Sequence, residues 1–208
     1  MPECEARTCV TNFNFKPKRG RDDYGWQVRN LRHFDGPQCP QFVTFRLFDS
    51  LPADLLDQWR SQCTNDVAFR KRVERYLDSG AGECWLAIAA IATIVVNAFK
   101  FYDQQKYDLH SWVIMPNHVH LLLSPFEHQH LPDILHTIKS FSAQESNKFL
   151  NRKGQFWQHE SFDRYIRDSR HFSAVVRYIE NNPVKACLCK SPEEWRFGSS
   201  FERAQIRS

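Results

Sequence analysis

The sequence lacks any hydrophobic run long enough to cross a bilayer. Its longest apolar stretch, residues 84–99, has about sixteen residues and is interrupted by Asn97, whereas a membrane-spanning helix needs about 20. A basic segment followed by an apolar one, typical of secretory leaders, is also missing from the beginning. We therefore expect no membrane span and a cytoplasmic protein.

The cysteines lack the arrangement that a disulfide framework or a zinc site needs. Their number, seven, is odd, and secreted disulfide frameworks use even numbers. The close pairs are Cys4 with Cys9 and Cys187 with Cys189, and neither has the two-residue gap usual for zinc. These spacings favour reduced thiols without structural zinc.

Internal repeats and low-complexity tracts are absent as well. With 42% apolar and 25% charged residues among 208, the chain suits one globular domain with or without tails, and disorder throughout is excluded. Lys and Arg number 28 against 24 for Asp and Glu, and residues 151–208 alone carry a net charge of +4. This balance favours a polyanionic partner without identifying one.

The patterning predicts an N-terminal basic arm at 1–40, a domain at 41–190 and a C-terminal tail at 191–208. Residues 41–47 alternate like a strand, and residues 55–77 have helical spacing with a break near Thr64 and Asn65. Residues 85–101 are apolar on nearly all sides, which is typical of a buried helix. Two apolar runs between 107 and 125 flank Pro116 and Asn117, which predicts a β-hairpin.

The remaining segments alternate between helix and strand. Residues 131–150 predict a helix whose buried stripe is Ile134, Leu135, Ile138, Phe141 and Phe149. The alternation of residues 162–166 predicts an edge strand. Ser169 is the expected N-cap of a helix that extends to about Asn181, and Asn182-Pro183 is the expected start of one more short helix. Together these elements predict an α+β fold in which helices cover one face of an antiparallel sheet.

Two histidines share one face of the predicted hairpin. His118 and His120 are two residues apart on a strand, so their rings leave the same face about 6.6 Å apart along the chain, while Val119 points into the core. Neutral imidazoles bind divalent metal ions. The alternative is a pair of solvent-facing histidines, because two ligands alone do not make a site.

A tyrosine lies at the boundary of the apolar stripe on the helix that begins near Ser169. At 100° per residue, Asn182 lies one turn after Tyr178 on the same flank, and His171 two turns before it. The Tyr178 hydroxyl could therefore face a groove, or the ring could simply lie at a helix interface. Asn182 could serve as a ligand or as a helix cap.

Aromatic and cationic residues are interleaved in the last quarter of the chain. Aromatic rings can stack on bases while cations bind phosphates, as in proteins that bind single-stranded nucleic acid. The alternative is an amphipathic segment with core aromatics and solvated arginines. The candidate DNA-binding residues are Arg152, Lys153, Trp157, Arg164, Arg167, Arg170, Arg177 and Lys185.

Several motifs in order resemble the REP-associated tyrosine transposases, bacterial relatives of the single-tyrosine HUH transposases of insertion sequences. The matching segments are QFVTFR at 41–46, WVIMPNHVHLLL at 112–123, FDRYIR at 162–167 and YIENNPVKA at 178–186, followed by PEEW at 192–195 and SS at 199–200. The resemblance extends from about residue 31 to 201. The family usually has glycine where Cys187 stands, and a positive φ there would cost this chain about 1 kcal/mol.

The resemblance implies a ferredoxin-like palm and a DNA-cleaving site. By this resemblance His118, His120 and Asn182 bind a divalent metal ion, Mg²⁺ or Mn²⁺, and Tyr178 is the nucleophile that forms a 5′-phosphotyrosine. The expected partners are single-stranded DNA and hairpins of repetitive extragenic palindromes, bound by a monomer or homodimer associated with the nucleoid. The general base is left open, with His171 on the appropriate flank.

Three alternatives compete with a transposase. A histidine nucleotidyl hydrolase would need a third histidine at position 122, where this chain has Leu122. A hairpin-binding protein that has lost cleavage remains the main alternative. A relaxase or replication initiator would share the two histidines and the tyrosine but not the other motifs.

Overall fold

The structure, a computed structural model, describes residues 25–28, 32–35 and 38–207. Most of the predicted arm at 1–40 lies outside them; within it, two short strands pair with each other, and the second lies beside β6 of the main sheet. The strands are β1 (Gly25–Val28), β2 (Arg32–Asp35), β3 (Gln41–Arg46), β4 (Tyr107–Ile114), β5 (His118–Pro125) and β6 (Phe162–Tyr165). The α-helices are α1 (Ala53–Gln62), α2 (Asp66–Asp78), α3 (Ala89–Lys100), α4 (Leu131–Phe149), α5 (Ser169–Lys185) and α6 (Ser199–Arg207).

The main sheet has four strands in the order β4-β5-β3-β6, and every neighbouring pair is antiparallel. Helix α3 lies in the connection between β3 and β4, and α4 in the connection between β5 and β6. This order and these connections are those of a ferredoxin-like palm, so the predicted fold is confirmed.

Helices cover both faces of this sheet, which corrects the expectation of helices on one face. Helices α3 and α4 pack with Val119 and its neighbours in the largest hydrophobic cluster, and α5 packs through Ile179 against Leu122 and Val113 on the other face. The reason is that β5 is buried along its whole length, and a strand whose two faces are both buried must be covered on both sides. The histidines lie on the face that α5 covers.

The α1–α2 hairpin forms a small core of its own. Leu51, Trp59 and Leu77 are its buried centre, separate from the clusters of the main sheet. The predicted break between the two helices is confirmed, because Asn65 caps α2 by accepting a hydrogen bond from the Ala68 amide at 2.9 Å.

Helix α5 is longer than the sequence predicts. It continues through Pro183 to Lys185, so the predicted second helix starting at Asn182 is wrong. Its N-cap is Asp168, whose side chain accepts from the His171 amide at 2.7 Å, one residue before the predicted Ser169. Because the helix is unbroken, Tyr178 and Asn182 lie on consecutive turns of one helix.

The buried stripe of α4 differs from the predicted one in two places. Phe141 and Phe149 are 51% and 55% exposed. Ser142 and Ser146 are buried instead, and Ser142 accepts a hydrogen bond from the Trp157 indole at 2.9 Å. A hydrogen-bonded serine can therefore occupy a core position where the apolar pattern alone selects phenylalanine.

Residues 191–208, predicted as a tail, include helix α6. Ser199 at its start accepts a hydrogen bond from the Trp112 amide of β4 at 3.2 Å, and Arg203 pairs with Glu180 of α5. The helix therefore packs onto the outer edge of the sheet. Within 38–207, every helix is too short or too polar to span a bilayer.

Candidate nucleic-acid cleavage site

The two histidines lie at the centre of the sheet, on the face covered by α5. His120 is opposite Thr44 of β3, and His118 is opposite Arg46. Each ring is only 1% exposed. This burial excludes the alternative of a solvent-facing pair.

The hydrogen bonds of Asn117 fix the protonation of His118. The Asn117 amide nitrogen donates to the carbonyls of Leu77 at 3.0 Å and Ala81 at 2.8 Å, so its oxygen must be the atom that faces His118 Nδ1 at 2.8 Å. Nδ1 therefore carries the proton of the neutral ring. The lone pair is left on Nε2, where a metal ion could bind.

The Nε2 atoms of His118 and His120 lie 3.2 Å apart. Two nitrogens bound to one ion at about 2.1 Å are separated by about 3.0 to 3.4 Å, so this spacing fits a shared ion. On the far side of its ring, His120 Nδ1 is 2.7 Å from the Thr44 hydroxyl. That hydroxyl can accept a hydrogen bond from a protonated Nδ1, and this tautomer leaves Nε2 free for a metal.

Tyr178 lies next to His120. The two ring centroids are 5.5 Å apart, and the Phe42 ring is 5.7 Å from Tyr178 and 5.4 Å from His120. The Tyr178 hydroxyl is buried and has no hydrogen-bond partner among the described residues. The structure thus brings the candidate nucleophile and both histidines together.

Asn182 supplies the third candidate metal ligand. It is 1% exposed, and neither its amide oxygen nor its amide nitrogen has a partner in the described part of the chain. A buried amide without partners costs free energy, and a bound ion would satisfy its oxygen. No group of three His, Cys, Asp or Glu side chains within 38–207 could hold a metal, so an ion here would depend on this amide.

Burial controls the protonation of His118, His120 and Tyr178. It lowers the pKa of His118 to about 3 and that of His120 well below its ordinary value, with the Lys185 ammonium acting in the same direction. Both rings are therefore neutral at physiological pH, as metal binding requires. Burial also raises the pKa of Tyr178, and the carboxylates of Glu74 and Asp78 raise it further.

Helix α2 contributes groups that the sequence motifs did not indicate. The Glu74 carboxyl lies near enough to the Tyr178 hydroxyl to raise its pKa, and its own pKa is raised by burial. Asp78 forms a 2.9 Å ion pair with Lys185, whose ammonium is 5.9 Å from the Tyr178 ring centroid. Local sequence gave no signal for these residues, because α2 reaches the site only through tertiary packing.

The predicted DNA-binding residues divide between the two faces of the sheet. Arg164 shares the face of the histidines, and Lys185 lies close enough to lower the pKa of both rings. Arg167 follows the end of β6. Arg152 packs over Trp85, with its Cζ 4.1 Å from that ring, on the side of α3 and α4. Arg170, Arg177 and Lys153 are exposed.

The structure contradicts the predicted role of Trp157 in DNA binding. It is 4% exposed, packs in the largest cluster and donates to Ser142, so no face of its ring is available to a base. His171 lies beside Arg164 and Arg167: its Nδ1 accepts from the Arg167 amide at 3.2 Å. Burial lowers the pKa of His171, and the charges of these two arginines lower it further.

Three comparisons with known proteins agree with this architecture. Residues 93–182 match the family of IS200-like transposases, a range that includes both histidines, Tyr178 and Asn182. A REP-associated tyrosine transposase of Escherichia coli (strain K12) is 27% identical over 110 residues, which are 52% of this chain and 62% of that protein.

A solved REP-associated tyrosine transposase bound to a REP hairpin has the same fold. The TM-score is 0.54 at 18% identity, over 86% of this chain and 87% of that one. The resemblance predicted from the motifs is therefore confirmed.

Proposed function

From this likeness to the REP-associated tyrosine transposases, we propose that the chain binds palindromic DNA hairpins and cleaves the adjoining single strand through Tyr178. One observation carries the proposal: the Tyr178 ring lies 5.5 Å from His120, whose Nε2 is 3.2 Å from that of His118. A nucleophile beside a preformed pair of metal ligands is an arrangement suited to metal-assisted phosphodiester transesterification.

Different residues of the site would hold the metal ion and orient the nucleophile. His118, His120 and the Asn182 amide would hold a divalent ion such as Mg²⁺ or Mn²⁺, which when bound supplies Lewis acidity to the scissile phosphate. The neutral histidines would present their Nε2 lone pairs, oriented by Asn117 and Thr44. The packing of α5 would fix the direction of the Tyr178 phenol.

The reaction exchanges one phosphodiester for another. The Tyr178 oxygen would attack phosphorus and lose its proton, the bond from phosphorus to the 3′ oxygen would break, and the strand would leave with a 3′-hydroxyl. The product attached to the protein would be a 5′-phosphotyrosine, which retains the bond energy for joining a second strand. Glu74, next to the phenol, is the candidate acceptor of its proton.

The alternative function is hairpin binding without cleavage. It is favoured by the burial of the Tyr178 hydroxyl, which raises the pKa of the phenol and keeps it away from solvent.

An adduct assay separates the two functions. The protein is incubated with a labelled hairpin that carries a single-stranded extension, in Mg²⁺ or Mn²⁺, and a covalent complex is sought after denaturation. We expect Tyr178→Phe to abolish it and Tyr165→Phe to retain it, because the Tyr165 side chain alternates to the other face of the sheet. Undiminished adduct in Tyr178→Phe would reject the nucleophile.

A second variant tests the metal ligands. His118→Ala combined with His120→Ala should lose metal-dependent cleavage and still bind the hairpin. Equal loss of binding would mean that the two histidines have only a structural role.

A further inference from the structure

A row of aromatic and cationic side chains leads from the candidate site to the edge of the sheet. Phe162 of β6 lies opposite Thr44, and Arg164 lies opposite Phe42, so both side chains share the face of His120. The Phe42 ring is in edge contact with Phe162, at 6.4 Å between centroids, and also contacts Tyr178. The ring system that surrounds the nucleophile therefore continues outward to β6.

Helix α2 provides the opposite wall of this row. The Arg70 guanidinium lies over the Phe162 ring, with its Cζ 5.1 Å from the centroid. Arg167 follows the end of β6, and like Arg164 it is exposed, whereas Phe162 and Arg70 are half-buried. We call Arg70, Phe162, Arg164 and Arg167 the edge strip.

The positive charges of the edge strip lie close enough to repel one another. The pKa of Arg164 is lowered by burial and then by the charges of Arg70 and Arg167. Neither Arg164 nor Arg167 forms an ion pair with a described residue. Like charges held together cost free energy that a bound polyanion would offset.

We infer that the edge strip binds the single-stranded DNA next to the scissile phosphate, with a base stacked at Phe162 and Arg70 and phosphates bound by Arg164 and Arg167. This inference rests on the proposed function and adds the path of the strand. The strip lies two strand spacings, about 10 Å, from β5. Stacking on an aromatic ring needs an unpaired base, so the ligand is a single strand and not the hairpin stem.

Binding without metal tests the strip independently of cleavage. Fluorescence anisotropy in EDTA would compare a hairpin carrying a single-stranded extension with the same hairpin without it. For Arg70→Gln combined with Arg164→Gln we expect affinity for the extended hairpin to fall about tenfold or more, and affinity for the blunt hairpin to stay within about twofold. The slope of log affinity against log salt should fall by about 0.7, because Arg164 is the one phosphate contact that this variant removes.

The chain offers a matched control in Arg60→Gln combined with Arg72→Gln. These arginines also lie over aromatic rings, at 5.1 Å from Phe69 and 4.9 Å from Trp59, and their removal changes the net charge equally. The rings that they cover, however, belong to the separate core of the α1–α2 hairpin. Arg167→Gln alone, at an exposed position, gives a second test if the double variant is unstable. For it we expect weaker binding of the extended hairpin only.

Two results would overturn the inference: a control pair that weakens binding as much as the strip variants, or strip variants that weaken blunt and extended hairpins equally. The adduct assay distinguishes these from failure of the proposed function. If the wild-type protein forms the adduct and the strip variants bind normally, only the inference fails. If it forms no adduct but prefers the extended hairpin through the strip, only the cleavage fails.

Discussion

At the scale of single residues, Cys187 has the backbone strain that the motif resemblance predicts. Its φ is 58°, in the left-handed region that favours glycine, just after the end of α5. We expect Cys187→Gly to raise the free energy of unfolding by about 1 kcal/mol, measured by urea denaturation, because glycine has no Cβ to clash. Cys189→Gly is the control and should give no gain. A lower free energy of unfolding for Cys187→Gly would show that the backbone at Cys187 is not strained.

Asn117 is the residue that connects the site to α2. Its side chain is fully buried and makes hydrogen bonds to Leu77, Ala81 and His118. We expect Asn117→Ala to destabilise the fold by about 2 to 4 kcal/mol in denaturant titrations, because buried partners lose their hydrogen bonds.

The control for Asn117 is Asn181→Ala. Asn181 is exposed, and its amide donates to the carbonyl of Arg177 in its own helix, so the change should be within about 0.5 kcal/mol. Equal effects of the two substitutions would show that the Asn117 hydrogen bonds contribute nothing special to stability.

At the scale of elements, α2 covers the candidate site. The Tyr178 hydroxyl is buried beneath it, the Asp78 carboxylate pairs with Lys185, and the Leu77 carbonyl accepts from Asn117. A phosphodiester must touch the Tyr178 oxygen to react with it. The proposed function therefore requires a local shift of α2 that exposes the Tyr178 oxygen and keeps Glu74 beside it.

Asp78→Asn tests this requirement. This substitution removes the Asp78–Lys185 ion pair, in which the Lys185 side chain is half-exposed. Such pairs contribute up to about 1 kcal/mol, so the population of molecules in which α2 exposes the Tyr178 oxygen should rise up to about fivefold. We expect faster amide hydrogen exchange in 66–78 and faster adduct formation. Glu202→Gln, which breaks the Lys100–Glu202 pair far from α2, is the control. Exchange in α2 that is unchanged, or equally faster in both variants, would contradict the role of this pair.

At the scale of the whole molecule, metal binding should stabilise the fold. An ion that binds only the folded state adds about 2.7 kcal/mol at one hundred times its Kd, which is several degrees in Tm for a chain of this length. We expect Mn²⁺ to raise the Tm of the wild-type protein in thermal denaturation, and EDTA to reverse the shift. The variant with His118→Ala and His120→Ala should show no shift; an equal shift in both proteins would place the ion elsewhere.

The fold and the candidate site differ in how far the sequence predicts them. The hairpin around Asn117, the edge strand and the spacing of Tyr178 and Asn182 follow from alternation and helical angles, which are local. The motifs added the ferredoxin-like order. The role of Trp157 was mispredicted, because interleaved aromatics and cations have the same pattern whether the rings face solvent or the core.

By itself, the sequence determined which residues share a strand face or a helix flank, because the periods of 2 and 3.6 are set by backbone geometry. The tertiary structure decided which elements meet. Pairing of β3 with β5 put Thr44 beside His120, and packing of α5 put Tyr178 beside the same ring. The α1–α2 hairpin put Glu74 next to Tyr178 and supplied the Leu77 carbonyl that accepts from Asn117. These contacts join residues far apart in the chain, and only the burial of complementary surfaces selects them.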